Sequence, residues 1–156
     1  MKKGFILTVA MLMLCSFILT GCNSGSESSR AKVIDIPLTE EEYAFGVDKN
    51  QPELLSKVNE FISQIKSDGT LEKISNKYFG DGEPEPVTSA VQDSSKDQLI
   101  IATNAAFEPF EYIIGDKYYG IDMEIAALLA DHLGKELVIN NMDFDAVCLS
   151  VGQGKA

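Results

Sequence analysis

The chain has a single arginine, Arg30, a single histidine, His132, and three cysteines among its 156 residues. Each scarcity excludes something. Basic residues number 13 against 24 acidic ones, for a formal net charge of −11, and no stretch gathers lysines into a patch. A phosphate backbone needs a basic face, so nucleic acid is excluded as a partner. One histidine and scattered cysteines make no metal-spaced set, and no nucleophile–base pair or phosphate-cradling glycine loop accompanies them. The chain is therefore read as a non-enzyme with no cofactor. Twelve glycines and five prolines are too few for a low-complexity scaffold. No self-similar period of about 20–50 residues appears, which argues against a solenoid. The remaining composition, 45% hydrophobic and 24% charged, is that of one globular domain, or one plus a tail.

The first stretch reads as an address. Lys2 and Lys3 precede an apolar run from Phe5 to Leu19, broken by Thr8 and Ser16 and followed by Leu19-Thr20-Gly21-Cys22. Such a run is a secretory signal, too short for a comfortable membrane span. Its ending resembles the lipobox of bacterial lipoproteins. That resemblance implies a lipoprotein signal peptide over 1–21 and a diacylated Cys22 as the mature N-terminus, lipid-anchored on the extracytoplasmic face of the cell membrane. Two or more acyl chains hold a domain on a bilayer durably. An uncleaved anchor and a plain signal peptide are the alternatives. Residues 22–32, rich in serine, form a tether. With Cys15 in the signal and Cys22 acylated, Cys148 has no disulfide partner. Its apolar setting, Ala146-Val147-Cys148-Leu149, predicts a packed small side chain.

Two ordered segments follow. In the first, Tyr43–Val47 reads as a short strand, and Asn50 and Pro52 mark the start of a helix. Apolar residues at Leu54, Leu55, Val58, Phe61, Ile62 and Ile65 trace one stripe of it. Gly69 stops that helix, and Thr70 caps a shorter one carrying Leu71, Ile74 and Tyr78. Residues 81–97 read as a linker. The second segment opens with Leu99-Ile100-Ile101-Ala102, a continuous apolar strand. Tyr112–Ile114 and Tyr118–Tyr119 flank a Gly115-Asp116-Lys117 turn. Asp122 caps a helix that Gly134 stops, Leu137–Ile139 is a strand, and Phe144 opens a last helix. Strand, helix, strand and helix joined by short connections mean an α/β fold with a parallel crossover.

Leu99-Ile100-Ile101-Ala102-Thr103-Asn104-Ala105-Ala106-Phe107-Glu108-Pro109-Phe110-Glu111-Tyr112, then Tyr119–Ile125, Met142-Asp143-Phe144 and Gly152–Lys155, resemble the opening of the family-3 extracellular solute-binding proteins of ABC importers. The glutamine-binding branch of these polar amino-acid receptors is the nearest likeness. Glu42–Val47, Leu54–Ile65, Gly69–Ile74 and Lys77–Gly80 resemble the closing part of the same family. The order is inverted: 33–80 is a C-terminal-like piece, 81–97 a linker, and 98–156 an N-terminal piece. The resemblance implies an incomplete, permuted lobe one of a type II periplasmic-binding-protein fold, a parallel sheet with flanking helices covered by the stripe of 54–65. A tandem protein with an internally deleted first copy is the other reading of the same residues.

In that family the loop after the first strand faces the ligand cleft. The resemblance implies that Phe107 stacks on the ligand, that Phe144 forms the other wall, and that Asn104 stands where the nearest branch has an aspartate. Phe110 and Tyr112 are read as packing residues. The acids Glu108, Glu111, Asp116, Asp122, Asp143 and Asp145 are read as solvated face and helix caps, and His132 as a surface residue. The implied partners are a polar amino acid, an ABC permease and, through the anchor, a membrane. The family's carboxylate-binding arginine has no counterpart here, which implies weak or absent binding. The alternative function is a non-binding remnant or a protein-interaction module.

Overall fold

The computed structural model describes Ile36 and residues 42–156. Cys22, Arg30 and the signal and tether segments lie outside the described residues. The account that follows is of Tyr43–Ala156, which forms one compact unit.

Helix α1 (Pro52–Ser67) starts where proline costs nothing, its missing N–H being one of the unpaired donors of a first turn. Gln51, not Asn50, is the N-cap. Asp48 sets this register by accepting the N–H groups of Asn50 (2.8 Å, carboxylate) and Gln51 (2.8 Å, carbonyl). Helix α2 (Thr70–Phe79) begins at Thr70, with Gly69 as its cap at φ 81°. Here the sequence reading is one residue late, because the Asp68 carboxylate already accepts the Thr70 N–H at 2.9 Å. Tyr43–Val47 forms no regular strand, against the expectation from its sequence.

Strands β1 (Gln98–Thr103) and β4 (Glu136–Asn141) pair in parallel, Leu99 opposite Leu137 and Ile101 opposite Ile139. Between them β2 (Tyr112–Ile114) and β3 (Lys117–Tyr119) form an antiparallel hairpin closed by Gly115 and Asp116. Helix α3 (Ile121–Leu133) follows the hairpin, and α4 (Phe144–Gly152) follows β4. The result is α/β, a parallel sheet with flanking helices.

Helix α3 is the centre of the molecule. Ile121, Met123, Glu124, Ile125, Ala126, Leu129 and Ala130 are all buried, nearly around its whole circumference. A helix apolar all round is one surrounded by partners, and α3 packs on α1, α2, β1, β3 and β4. The α1 stripe therefore does not lie directly on the sheet. Val58, Phe61 and Ile65 are sealed against α2 and α3 and share one core with Leu99, Leu137 and Ile139. Each such side chain contributes about 1.5–3 kcal/mol by leaving water.

Residues 81–97 are more than a linker. Val87 is buried and pairs with Tyr118 in both directions, at 2.8 and 3.0 Å. Ala90 donates to the Leu137 carbonyl at 2.8 Å, and the Ile139 N–H donates to Ser89 Oγ at 2.8 Å. Two prolines suggest a tether, but the backbone between them and β1 lies along the outer edge of β4.

Cys148 is exposed on α4, against the expectation of a packed side chain. Ser150 is buried on that helix and Val147 and Val151 are half-buried, whereas Phe144 and Leu149 face outward with Cys148. His132 is exposed as expected, with its ring 5.3 Å from that of Phe61.

Candidate functional site

At the carboxyl ends of β1 and β4 the chain turns into two loops that are tied together. Open α/β sheets bind ligands at this end. Asn104 Nδ2 donates to the Met142 carbonyl at 3.0 Å, and Asn141 Oδ1 accepts the Ala105 N–H at 2.9 Å. An aspartate at 104 would have no proton for the first bond at neutral pH. Asn104 thus spends its amide donor on the scaffold and keeps only its oxygen for other use.

The next residues form a tight loop. Phe107 and Glu111 exchange backbone bonds at 2.8 and 3.0 Å, and Phe110 N–H bonds back to the Phe107 carbonyl at 2.9 Å. The rings follow from this loop. Phe107 and Phe110 stack with centroids 5.6 Å apart and planes 17° from parallel. Tyr43 stacks on Phe110 at 4.5 Å, and Phe79 meets Phe110 edge-on at 6.3 Å. Four rings from three parts of the sequence form a ladder centred on Phe110. Phe107 stands at one end of the stack, 53% exposed, and Tyr43 at the other, 54% exposed.

Phe144 is at the start of α4, 75% exposed and with no ring contact among the described residues. Asn104 and Phe107 follow the carboxyl end of β1, and Phe144 opens α4 just after the carboxyl end of β4. Phe110 packs as expected, and Tyr112 stacks on Tyr119 at 5.8 Å. The sequence reading missed Tyr43 and Phe79 as members of the ladder. Their signal was weak, two aromatics at the margins of the first segment.

Two acids read as solvated are not. Burial raises the Glu111 carboxyl to about 7, with a smaller push from the charge of Asp122. Burial likewise raises Asp122 to about 6. Asp122 is also not a cap: it sits in the first turn of α3, where its N–H donates to the Phe110 carbonyl at 2.9 Å. The pH dependence follows from these directions. The folded chain holds protons that the unfolded chain releases at its ordinary values of 4.5 and 3.8. These groups therefore stabilise the fold below about pH 4, and that stability is lost as pH rises through about 6 to 7. Melting should be higher at pH 5 than at pH 8, and Glu111→Gln should flatten the difference. A melting temperature that rises over this interval would contradict it.

A second polar cluster fixes the loop from below. The Glu124 side chain is 7% exposed and receives Lys77 Nζ at 2.6 Å, Tyr78 Oη at 2.7 Å and the Glu85 N–H at 3.2 Å. Tyr78 Oη in turn accepts the Gly120 N–H at 2.9 Å. Burial, then the bond to Glu124, pushes the Tyr78 hydroxyl well above its usual range. Burial works against the Lys77 charge, but bonds to Glu124 and Glu85 outweigh it and raise the group. This cluster joins α2 to α3, and so the first segment to the second.

The sequence model of the bacterial extracellular solute-binding proteins, family 3, matches residues 5–81 and 99–156. Among curated relatives, the arginine-binding extracellular protein ArtP of Bacillus subtilis is 42% identical over 55 residues, which is 35% of this chain and 22% of that protein. The probable ABC transporter arginine-binding protein ArtJ of Chlamydia trachomatis serovar D is 36% identical over 64 residues, 39% of this chain and 24% of that protein. The chain thus spans less than a quarter of the length of either relative. No solved structure matches it.

Proposed function

We propose, from the premise that this chain belongs to the bacterial extracellular solute-binding proteins of family 3, that it is the lipid-anchored amino-acid-binding component of an ABC importer. Cys22 carries the anchor in this reading, the receptor lobe stands on the extracytoplasmic face, and an ABC permease is its partner. The observation that carries the ligand part is the half-exposed Phe107 ring at the end of the Phe110–Tyr43 stack. An aromatic face takes the apolar stem of an amino acid, and a cationic side chain gains further from the ring. Both relatives are named as arginine-binding, which favours arginine over a neutral side chain.

Affinity is expected to be low. Asn104 offers an uncharged oxygen in place of a carboxylate. Calorimetry with arginine, glutamine, histidine and cystine should give a millimolar dissociation constant for arginine and weaker values for the others. Phe107→Ala should weaken arginine binding about tenfold, the size of one cation–π contact. Equal affinities for arginine and glutamine, or an unaffected Phe107→Ala variant, would overturn the stacking. Absence of heat with every amino acid would favour an interaction module instead.

A further inference from the structure

We propose that Asn104 and Asn141 are paired positioning residues, two side-chain amides that cross between the loops at the carboxyl ends of β1 and β4 and hold the Phe107 ring in place. Their effect on binding rests on the reading of Phe107 as the ligand's aromatic face. Each asparagine serves the backbone of the other loop. Asn104 Nδ2 donates to the Met142 carbonyl at 3.0 Å, and Asn141 Oδ1 accepts the Ala105 N–H at 2.9 Å. The backbone bond from the Met142 N–H to the Thr103 carbonyl, at 2.9 Å, lies just before them. The two amides thus carry the β1–β4 contact one step past the end of the strands.

The other restraints on the loop show why this step matters. Its far end is fixed to the start of α3, where the Ile121 N–H donates to the Pro109 carbonyl at 3.1 Å and the Asp122 N–H to the Phe110 carbonyl at 2.9 Å. Its middle is closed on itself through Phe107 and Glu111. The near end, Asn104-Ala105-Ala106, is tied differently. The Ala106 N–H turns back to the Asn104 carbonyl at 2.7 Å, a bond internal to the loop. Ala105 and Ala106 carry no polar side chain and little apolar one, and Ala106 is exposed. Among the described residues, the two asparagine bonds are the hydrogen bonds that join 104–106 to the rest of the fold. Phe107 comes next and is half exposed, so its direction depends on the backbone that carries it more than on packing.

The polarity of the two bonds runs one way. Both donors belong to residues 104 and 105, and both acceptors to 141 and 142. One isosteric change therefore has opposite consequences at the two positions. Aspartate at 141 keeps the acceptor and strengthens it by ionisation. Aspartate at 104 has no proton to give at neutral pH and sets a carboxylate against the Met142 carbonyl. Both changes add the same charge, so repulsion by the acidic chain acts on each alike. A side chain that merely filled space would not distinguish them.

The test uses the full chain, first without ligand. Asn141→Ala should speed amide exchange at Ala105 by about fivefold, the weight of one hydrogen bond. It should also move the Phe107 ring-proton resonances, shifted by the facing Phe110 ring, toward those of free phenylalanine. Asn141→Asp should restore both signals, and Asn104→Asp should lose the ring shift. With arginine present, Asn141→Ala should weaken binding about threefold through lost preorganisation, and Asn141→Asp should recover it. If Asn141→Ala fails to fold, the two aspartate variants, matched to asparagine in size, decide. Equal ring shifts in those two variants, or unchanged exchange at Ala105 in Asn141→Ala, would overturn the pairing. So would an Asn104→Asp variant that binds arginine more tightly with its ring shifts intact, which would make residue 104 a ligand contact. The exchange and ring signals need no ligand, so a chain that gives no heat with arginine fails the receptor reading and not the asparagine pair.

Discussion

Glu124→Ala should lower the stability of the folded chain by about 3–5 kcal/mol. The carboxylate is almost fully enclosed and receives three donors, from Lys77, Tyr78 and the Glu85 backbone. Alanine removes the acceptor and leaves every donor in place. Lys77 keeps its charge on a side chain only 22% exposed, with the more exposed Glu85, 3.3 Å away, as its remaining partner. Breaking a buried pair by deleting one member costs about 3–5 kcal/mol, a large share of the roughly 5–15 kcal/mol that holds a domain together. Two further variants separate the contributions. Tyr78→Phe should cost about 1–2 kcal/mol, since it removes the hydroxyl that bridges Glu124 and the Gly120 N–H. Lys77→Met combined with Glu124→Leu should recover much of the loss, because charge and counter-charge leave together. Urea unfolding followed by circular dichroism measures all three. A Glu124→Ala midpoint equal to that of the unaltered chain would show that α2 and α3 are held by apolar packing alone.

That cluster marks the boundary of what the sequence discloses. The α1 stripe, the β1 run and the Gly134 stop were legible, because periodicity and glycine at a left-handed position act locally. The aromatic ladder was legible only at Phe107 and Phe110. Tyr43 and Phe79 reach Phe110 through the fold, and nothing in their own neighbourhoods announces it. Glu124 did leave a trace. With Asp122 it interrupts an otherwise apolar stretch, Ile121–Ala130, and unlike Asp131 and His132 it falls among the buried residues of that helix. A carboxylate there demands a partner, but the partner, Lys77-Tyr78, is separated from it by more than forty residues. The same distance explains residues 81–97. Glycine, proline and acidic residues describe a connection, and only the exposed outer edge of β4 explains why that connection lies flat. Cys148 was misjudged for the converse reason: apolar neighbours in sequence imply burial only when something covers the helix.

Gly120→Ala should be at least as damaging, by a different route. Gly120 ends the hairpin and starts α3 at φ 127°, ψ 160°, a conformation that side chains rarely adopt. A β-carbon added there would lie 2.0 Å from the Phe110 carbonyl oxygen, 2.4 Å from its carbon and 2.8 Å from the Glu111 nitrogen. All three are backbone atoms, so no rotamer relieves the clash. The loop must move or α3 must start elsewhere. Either shift breaks the bonds from Ile121 N–H to Pro109 and from Asp122 N–H to Phe110, at 3.1 and 2.9 Å, and displaces the rings of Phe107 and Phe110. The expected cost is about 4 kcal/mol, in the range reserved for strain at a special backbone position. Gly115→Ala is the control. It too replaces a glycine at positive φ, 64°, but a β-carbon there meets nothing within 4 Å, so only the conformational cost of about 1–2 kcal/mol applies. The difference between the two melting curves isolates steric contact with the loop. In Gly120→Ala, near-ultraviolet dichroism from the stacked rings should fall before the helical signal does. Equal costs for the two substitutions would mean that the Phe110 loop yields freely and does not position Phe107.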